Sequence, residues 1–187
     1  MKFHLDTPLA KGFLALLARL DQTLTSDQSA TVFLAGGMAV HLYTGKRVTT
    51  DVDAEFSRRL FVPANLVVEI PEHQGYGRVL YFDTQFNPMF ALLHEDYQTD
   101  ALPLDLSLPH LDVCVLTPVD LAVSKLARFA AIDREDIFDL ARLRLFSVEQ
   151  FASRAEAALS GFAGPIDKVR LNLELALTSL RPGLEQP

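Results

Sequence analysis

Between Leu34 and Phe56 the chain reads LAGGMAVHLYTGKRVTTDVDAEF, in which thirteen residues separate the Gly36-Gly37 pair from Asp51-Val52-Asp53. Aspartate is disfavoured in strands, yet Asp51 and Asp53 stand two apart in a β-prone setting. On a strand they project from one face while Val52 packs on the other. Two like charges on one face repel unless a cation lies between them, and oxygen ligands of this kind suit hard divalent ions. Gly36 and Gly37 complement the pair, because residues without a Cβ let backbone N–H groups crowd against phosphate oxygens. The segment therefore predicts metal-dependent phosphate chemistry. Two cations held about 3.5–4 Å apart by shared carboxylates activate an attacking hydroxyl and stabilise the leaving oxygen of an in-line displacement.

The 187 residues, 49% hydrophobic and 22% charged, suffice for one well-packed domain with a helical appendage. No run approaches the ~20 apolar residues of a membrane span, and the opening MKFHLDTPLAKGFLALL has no convincing cleavage site. The expectation is a cytoplasmic protein with no membrane partner. Cys114 is the single cysteine, which excludes an internal disulfide and a cysteine-based zinc site and reads as a small buried hydrophobe. The net charge of −7 excludes indiscriminate coating of nucleic acid, although Lys46, Arg47, Arg58 and Arg59 offer a local patch to a polyanion.

Periodicity predicts a first amphipathic helix over 8–25, with Leu9, Phe13, Leu16, Leu17 and Leu20 on one face. A strand over Thr31–Ala35, a glycine turn and a helix over Met38–Tyr43 closed by Gly45 follow. Further strands are expected at Thr50–Phe56, Leu66–Ile70 and Arg78–Asp83, with Pro63, Pro71 and Gly75–Gly77 as punctuation, giving a small mixed sheet. Residues 86–109 carry mixed signals, with a helix suggested near Pro88–Leu93 and then a loop, before a strand at Leu111–Leu116. The remainder reads as helical. Thr117-Pro118-Val119-Asp120 is a helix start whose stripe is Ala122, Leu126, Phe129 and Ala130. A second helix begins near Asp133, and others fit Val148–Leu159 and Pro165–Leu180. The fold class is α+β, divided into a sheet-bearing part over 1–116, which includes the N-terminal helix, and a helical subdomain over 117–187.

The pattern Leu34-Ala35-Gly36-Gly37 followed by Asp51-Val52-Asp53-Ala54 resembles the DNA polymerase β-like minimal nucleotidyltransferase superfamily. Lys125 in VSKLARFA and Asp136 in DREDIFDL resemble the later motifs of its abortive-infection toxin branch. The resemblance covers roughly 31–143 and implies a nucleotidyltransferase-fold mixed-sheet core followed by a helical subdomain. It further implies Mg²⁺ (or Mn²⁺), a nucleoside triphosphate donor, an RNA (tRNA-like) or protein acceptor, and restraint by an antitoxin protein in a toxin–antitoxin system. In this reading Asp51, Asp53 and Asp83 hold the metal. Gly36, Gly37 and Thr50 contact the nucleotide, Lys125 steadies its triphosphate, and Asp136 completes the catalytic set.

Each position also has a plainer reading. Asp83 ends the strand-like RVLYFD, and Asp112, near the start of LDVCVL, is the alternative third carboxylate. Thr49 and Thr50 offer hydroxyls to phosphate but are also ordinary strand residues. Lys125 reads equally as a surface lysine with its stem along the core, with Arg128 assisting it or forming a salt bridge. Asp136 reads as a first-turn acid of a helix capped by Asp133, with Asp139 orienting it or pairing with Arg142. His4, His41, His73, His94 and His110 lack ligand spacing and receive no catalytic role. The rival functional class is a catalytically silent nucleotide-binding or protein-interaction module of the same fold.

Overall fold

A computed structural model of the chain describes residues 2–70 and 77–184, with side chains through Leu180. Pro71, His73 and Gly75 lie outside the described residues. The architecture is α+β, and the chain divides into two compact units, 1–86 with 101–115 and 87–100 with 116–187. Each is considered by itself.

The first unit opens with helix α1 (Pro8–Asp21), shorter than its periodicity suggests. Thr7 caps its start, accepting the Ala10 N–H at 3.1 Å. At the far end the Thr23 hydroxyl donates to the Leu20 carbonyl, drawing the chain into a 3₁₀ turn at Ser26–Gln28. A cap of this kind contributes about 1 kcal/mol. Phe13, Leu16, Leu17 and Leu20 are fully buried and contribute about 1.5–3 kcal/mol each, so packing rather than capping holds the helix.

Strand β1 (Ala30–Leu34) leads directly into helix α2 (Gly36–Thr44), so both glycines stand in the first turn of the helix rather than ahead of it. Gly45 ends α2 with φ +69°, as expected of a left-handed helix terminator. The expected strand over Thr50–Phe56 is two strands, β2 (Asp51–Val52) and β3 (Ala54–Phe56), which enter different sheets. Strands β4 (Val67–Ile70) and β5 (Arg78–Phe82) make a three-stranded sheet with β2, in the order β2-β5-β4. The other sheet, β3-β1-β7-β6, uses β6 (Leu102–Leu104) and β7 (Leu111–Val115). β1 runs parallel to β7 and antiparallel to β3, and β2 runs parallel to β5. β6 falls where a loop was expected. Its Pro103 is tolerated because β6 is an edge strand.

One buried histidine ties this unit together. His41 Nδ1 lies 2.6 Å from the Arg47 carbonyl oxygen and Nε2 lies 2.6 Å from Thr7 Oγ1, linking α2 to the cap of α1 and to the loop that precedes Asp51. Burial depresses its pKa below 6.5, outweighing the Arg47 carbonyl, which acts to raise it. A histidine protonated more readily unfolded than folded stabilises the fold above its unfolded pKa and loses that contribution as pH falls. Chemical melts should therefore show stability declining below about pH 6.5, with a smaller decline in His41→Gln. An identical slope in both proteins would refute the assignment.

The second unit contains a 3₁₀ turn at Pro88–Phe90, a short helix α3 (Tyr97–Asp100) and four longer elements. Helix α4 (Pro118–Ser124) is capped by Thr117, which accepts the Asp120 N–H at 3.1 Å while its hydroxyl donates to Asp120 Oδ2 at 2.6 Å. α4 ends at Lys125, short of the predicted stripe, so Ala122 and Leu126 are buried whereas Phe129 is half-buried and Ala130 exposed. Phe129 then takes φ +55° in the turn to α5 (Ala131–Arg142). Helix α6 (Val148–Leu159) has the predicted bounds, and Ser147 and Gln150 form its capping box. Helix α7 (Ile166–Leu184) buries Val169, Leu173, Ala176 and Leu180. No helix among the described residues is long and apolar enough to cross a membrane.

Candidate active site

Five residues of the first unit converge where β1 hands over to α2. Gly36 adopts φ +60°, and a Cβ built there would overlap the Asp53 carboxylate, lying 2.5 Å from its Cγ. Only glycine satisfies both the backbone angle and that approach. A Cβ on Gly37 would stand 3.1 Å from Thr49 Oγ1 and 3.2 Å from Thr49 Cβ. The Thr49 hydroxyl, itself buried, donates to Asp51 Oδ1 in a short hydrogen bond. Thr49 thus touches the helix start with one side of its side chain and a carboxylate with the other.

The split of the predicted strand explains how this happens. The Ala35 N–H donates to the Asp53 carbonyl at 2.9 Å, and the Asp83 N–H donates to the Val52 carbonyl at 3.0 Å. Asp53 is therefore the residue at which the chain leaves one sheet for the other. Val52 is buried and the two aspartates are half-buried, as the alternation predicts. The N-cap residue of α2, Ala35, has no side chain able to cap it, and the first N–H groups of the helix, which lack intrahelical partners by construction, face the region where the Asp53 carboxylate lies against Gly36. That end of a helix attracts anions.

Of the other sequence-stated candidates in this unit, Thr50 is exposed, and its carbonyl accepts the Tyr81 N–H at 3.2 Å. Thr49, not Thr50, packs against the glycines. Asp83 follows Phe82 as Asp53 follows Val52 in the paired strands, and its Oδ1 accepts the Gln85 N–H at 2.8 Å. Asp112 is exposed and pairs with Thr31. It thus lies about 10 Å back along β1 from Leu34. Among the described residues no three of His, Cys, Asp and Glu converge closely enough to hold an ion by themselves. Two carboxylates fit Mg²⁺ nonetheless, because this ion usually takes one or two protein carboxylates and completes its shell with phosphate oxygens and water.

Lys125 and Asp136 belong to the second unit, which brings them together. Lys125, at the C-cap of α4, is buried, with Nζ 3.1 Å from Asp136 Oδ2 and 3.9 Å from Asp133 Oδ1. Arg128 forks onto Asp133 through Nε and Nη2, both at 2.7 Å, and the Ala130 N–H donates to the same carboxylate at 2.9 Å. Burial acts to raise the Asp133 pKa, but the Arg128 fork, the Ala130 N–H and the charges of Arg128 and Lys125 together hold it below the ordinary carboxylate value. Asp139 pairs with Arg142 at 3.5 Å. A second buried pair escaped sequence reasoning: Arg154 bonds Asp120 at 2.8 and 3.0 Å and Asp100 at 2.8 Å. With its main partners 34 positions apart, no local pattern signals it. Cys114 is half-buried, and burial, with the Asp112 charge, pushes its thiol pKa upward.

The family model described as nucleotidyltransferase of unknown function (DUF6036) matches residues 11–176. The chain belongs to this family. The match takes in Gly36, Gly37, Asp51, Asp53, Asp83, Lys125 and Asp136. Among solved structures the chain is similar to an antigenic nucleotidyltransferase-like protein from Paracoccidioides brasiliensis, 16% identical over 90% of this chain and 93% of that one, with a TM-score of 0.44. No curated protein matches it.

Proposed function

We propose that the protein transfers a nucleotide from a nucleoside triphosphate to a hydroxyl of an RNA acceptor, with Mg²⁺ held by Asp51 and Asp53. The observation that carries this reading is the approach of the Asp53 carboxylate to Gly36, the first residue of α2. Carboxylates that close to an anion-binding helix start make sense when a cation and a phosphate share the space between them. Of the two alternatives for a third carboxylate the proposal keeps Asp83, which stands at the end of the strand paired with β2 and would have to move closer to Asp51 and Asp53 to share their ion, whereas Asp112 lies towards the other end of β1.

The proposal assigns each residue a role. Backbone N–H groups of Gly36 and Gly37 receive the triphosphate oxygens, and Thr49 holds Asp51 in one rotamer. Bound at Asp51 and Asp53, Mg²⁺ would supply neutralisation of charge on the phosphate oxygens. In the transfer a bond forms between the acceptor oxygen and the α-phosphorus, the bond to the β-phosphate oxygen breaks, and pyrophosphate leaves. Lys125 and Asp136 of the second unit are proposed as further members of the catalytic set, and their 3.1 Å pair supports a role for Asp136 in orienting the lysine. Lys46 and Arg59, exposed on either side of the aspartate pair in sequence, favour a polyanionic acceptor. The resemblance of the Lys125 and Asp136 segments to a toxin branch motivates the further proposal of a toxin restrained by an antitoxin. On that reading expression alone arrests growth and Asp53→Ala relieves the arrest.

The test is incubation of the purified protein with Mg²⁺, each α-labelled nucleoside triphosphate and total cellular RNA. Label in RNA that disappears with a chelator supports the proposal and identifies the nucleotide, whereas label in protein reassigns the acceptor. Bound nucleotide with no label under any condition would refute transfer and favour a silent nucleotide-binding module.

Thr49 provides a sharper check on the site. Partners that orient metal-ligating carboxylates are worth about 10- to 100-fold in metal affinity or activity. Thr49→Val keeps the branched side chain against Gly37 but loses the hydroxyl, so the Mg²⁺ concentration for half-maximal transfer should rise by about that factor. Thr49→Ser should restore it. Equal Mg²⁺ requirements in Thr49→Val and wild type would remove Thr49 from the site.

A further inference from the structure

The three-stranded sheet of the first unit has one covered face and one open face. Val52, Leu80, Phe82, Val68 and Ile70 are buried, with α1 packed on β4 and β5. On the opposite face Asp51 of β2 pairs in register with Tyr81 of β5, and Tyr81 with Val67 of β4. Neighbouring strands lie about 4.8 Å apart and residues in register share a face, so the Tyr81 side chain stands beside Asp51. Tyr81 is 44% exposed, and its strand neighbour on the same face, Val79, is 40% exposed. A half-exposed aromatic ring on a sheet is a surface on which a planar ring stacks.

We propose that Tyr81 is a stacking platform for a nucleobase belonging to a nucleotide whose phosphates lie at Asp51. The inference rests on the nucleotidyl-transfer reading only for the placement of those phosphates. The adjacency of aromatic and carboxylate selects the ligand class. A ligand carrying a polyphosphate at one end and an apolar planar ring at the other meets both neighbours at once, whereas an inorganic polyphosphate meets only Asp51. The base belongs either to the donor triphosphate or to the acceptor RNA. Both present the same π-face, and stacking is tolerant of base identity.

The experiment measures binding in the presence of Mg²⁺ for each ribonucleoside triphosphate, inorganic tripolyphosphate and a short single-stranded RNA of mixed sequence. Loss of one base stack corresponds to roughly 5- to 150-fold in affinity. Tyr81→Ala should therefore weaken a base-bearing ligand by that factor and leave tripolyphosphate unchanged, while Tyr81→Phe binds like wild type. Weakened triphosphate binding assigns the donor base, and weakened RNA binding alone assigns the acceptor base. Because the chain contains no tryptophan, Tyr81→Trp introduces a single indole whose fluorescence a stacked base quenches and tripolyphosphate does not. Unchanged affinities in Tyr81→Ala, or an indole insensitive to every base-bearing ligand, overturn the proposal. Asp51→Asn separates the two readings: binding that depends on Tyr81 but not on Asp51 keeps the platform and removes the transfer site.

Discussion

Asp51→Asn is expected to lower nucleotide transfer by about 10³-fold or more while the protein melts at the wild-type temperature. Asparagine has the shape of aspartate, and its side-chain carbonyl still accepts the Thr49 hydroxyl, so the loop before β2 keeps its course. What disappears is the charge. A cation held by two carboxylates loses half of its protein-derived negative charge, and the groups arranged for the transition state lose the ion that offsets developing phosphate charge. Incorporation of α-label measures the effect, and undiminished incorporation would exclude Asp51 from the chemistry. Gly36→Ala should match the loss of transfer by a different route. At φ +60° an alanine costs about 1–3 kcal/mol of backbone strain, and its Cβ overlaps the Asp53 carboxylate. Gly36→Ala should therefore lower the melting temperature as well, which Asp51→Asn should not.

Asp133→Ala should be among the most destabilising substitutions in the helical unit, costing on the order of 3 kcal/mol. The carboxylate is 1% exposed and accepts from Arg128 and from the Ala130 N–H, with Lys125 at 3.9 Å. Arg128 is mostly exposed, so water replaces its partner at little cost. The larger penalty falls on the buried Lys125, left with Asp136, and on the Ala130 N–H at the start of α5. The turn holding Phe129 at φ +55° also loses its clasp. Since the folded pKa is depressed, Asp133 contributes stability above its unfolded pKa, near 3.8, and this contribution fades as pH falls through the lower folded value. Urea melts at neutral and acid pH provide the check. Wild-type stability in Asp133→Ala at neutral pH would contradict the account, and Asp133→Asn, which retains an acceptor for Ala130, should lie between the two.

The local signals that proved readable are those whose physics is local. Thr117-Pro118 starts α4, Gly45 stops α2, and Ser147 with Gln150 frames α6, because caps depend on residues three or four apart. The Gly36-Gly37 and Asp51-Val52-Asp53 patterns were legible for the same reason, one from the absence of a Cβ and the other from strand alternation. Misread positions depended on partners far away in sequence. Alternation showed that Thr50–Phe56 was extended, but could not show that Asp53 is where the chain changes sheets, since that choice is made by β1 and β5. Pro103 masked β6, whose edge position is a property of the sheet. α4 ends at Lys125, whose buried partner Asp136 lies eleven residues on.

The sequence alone determined the α+β class and the amphipathic faces that form each core. It also placed two glycines and two aspartates close together along the chain. Tertiary structure decided how those residues meet: that Asp53 rests on Gly36, that Thr49 rather than Thr50 links the helix start to Asp51, and that Tyr81 stands beside Asp51. The physical reason is that side-chain period and capping are fixed within a few residues, whereas sheet register joins segments dozens of residues apart through backbone hydrogen bonds that every sequence can make.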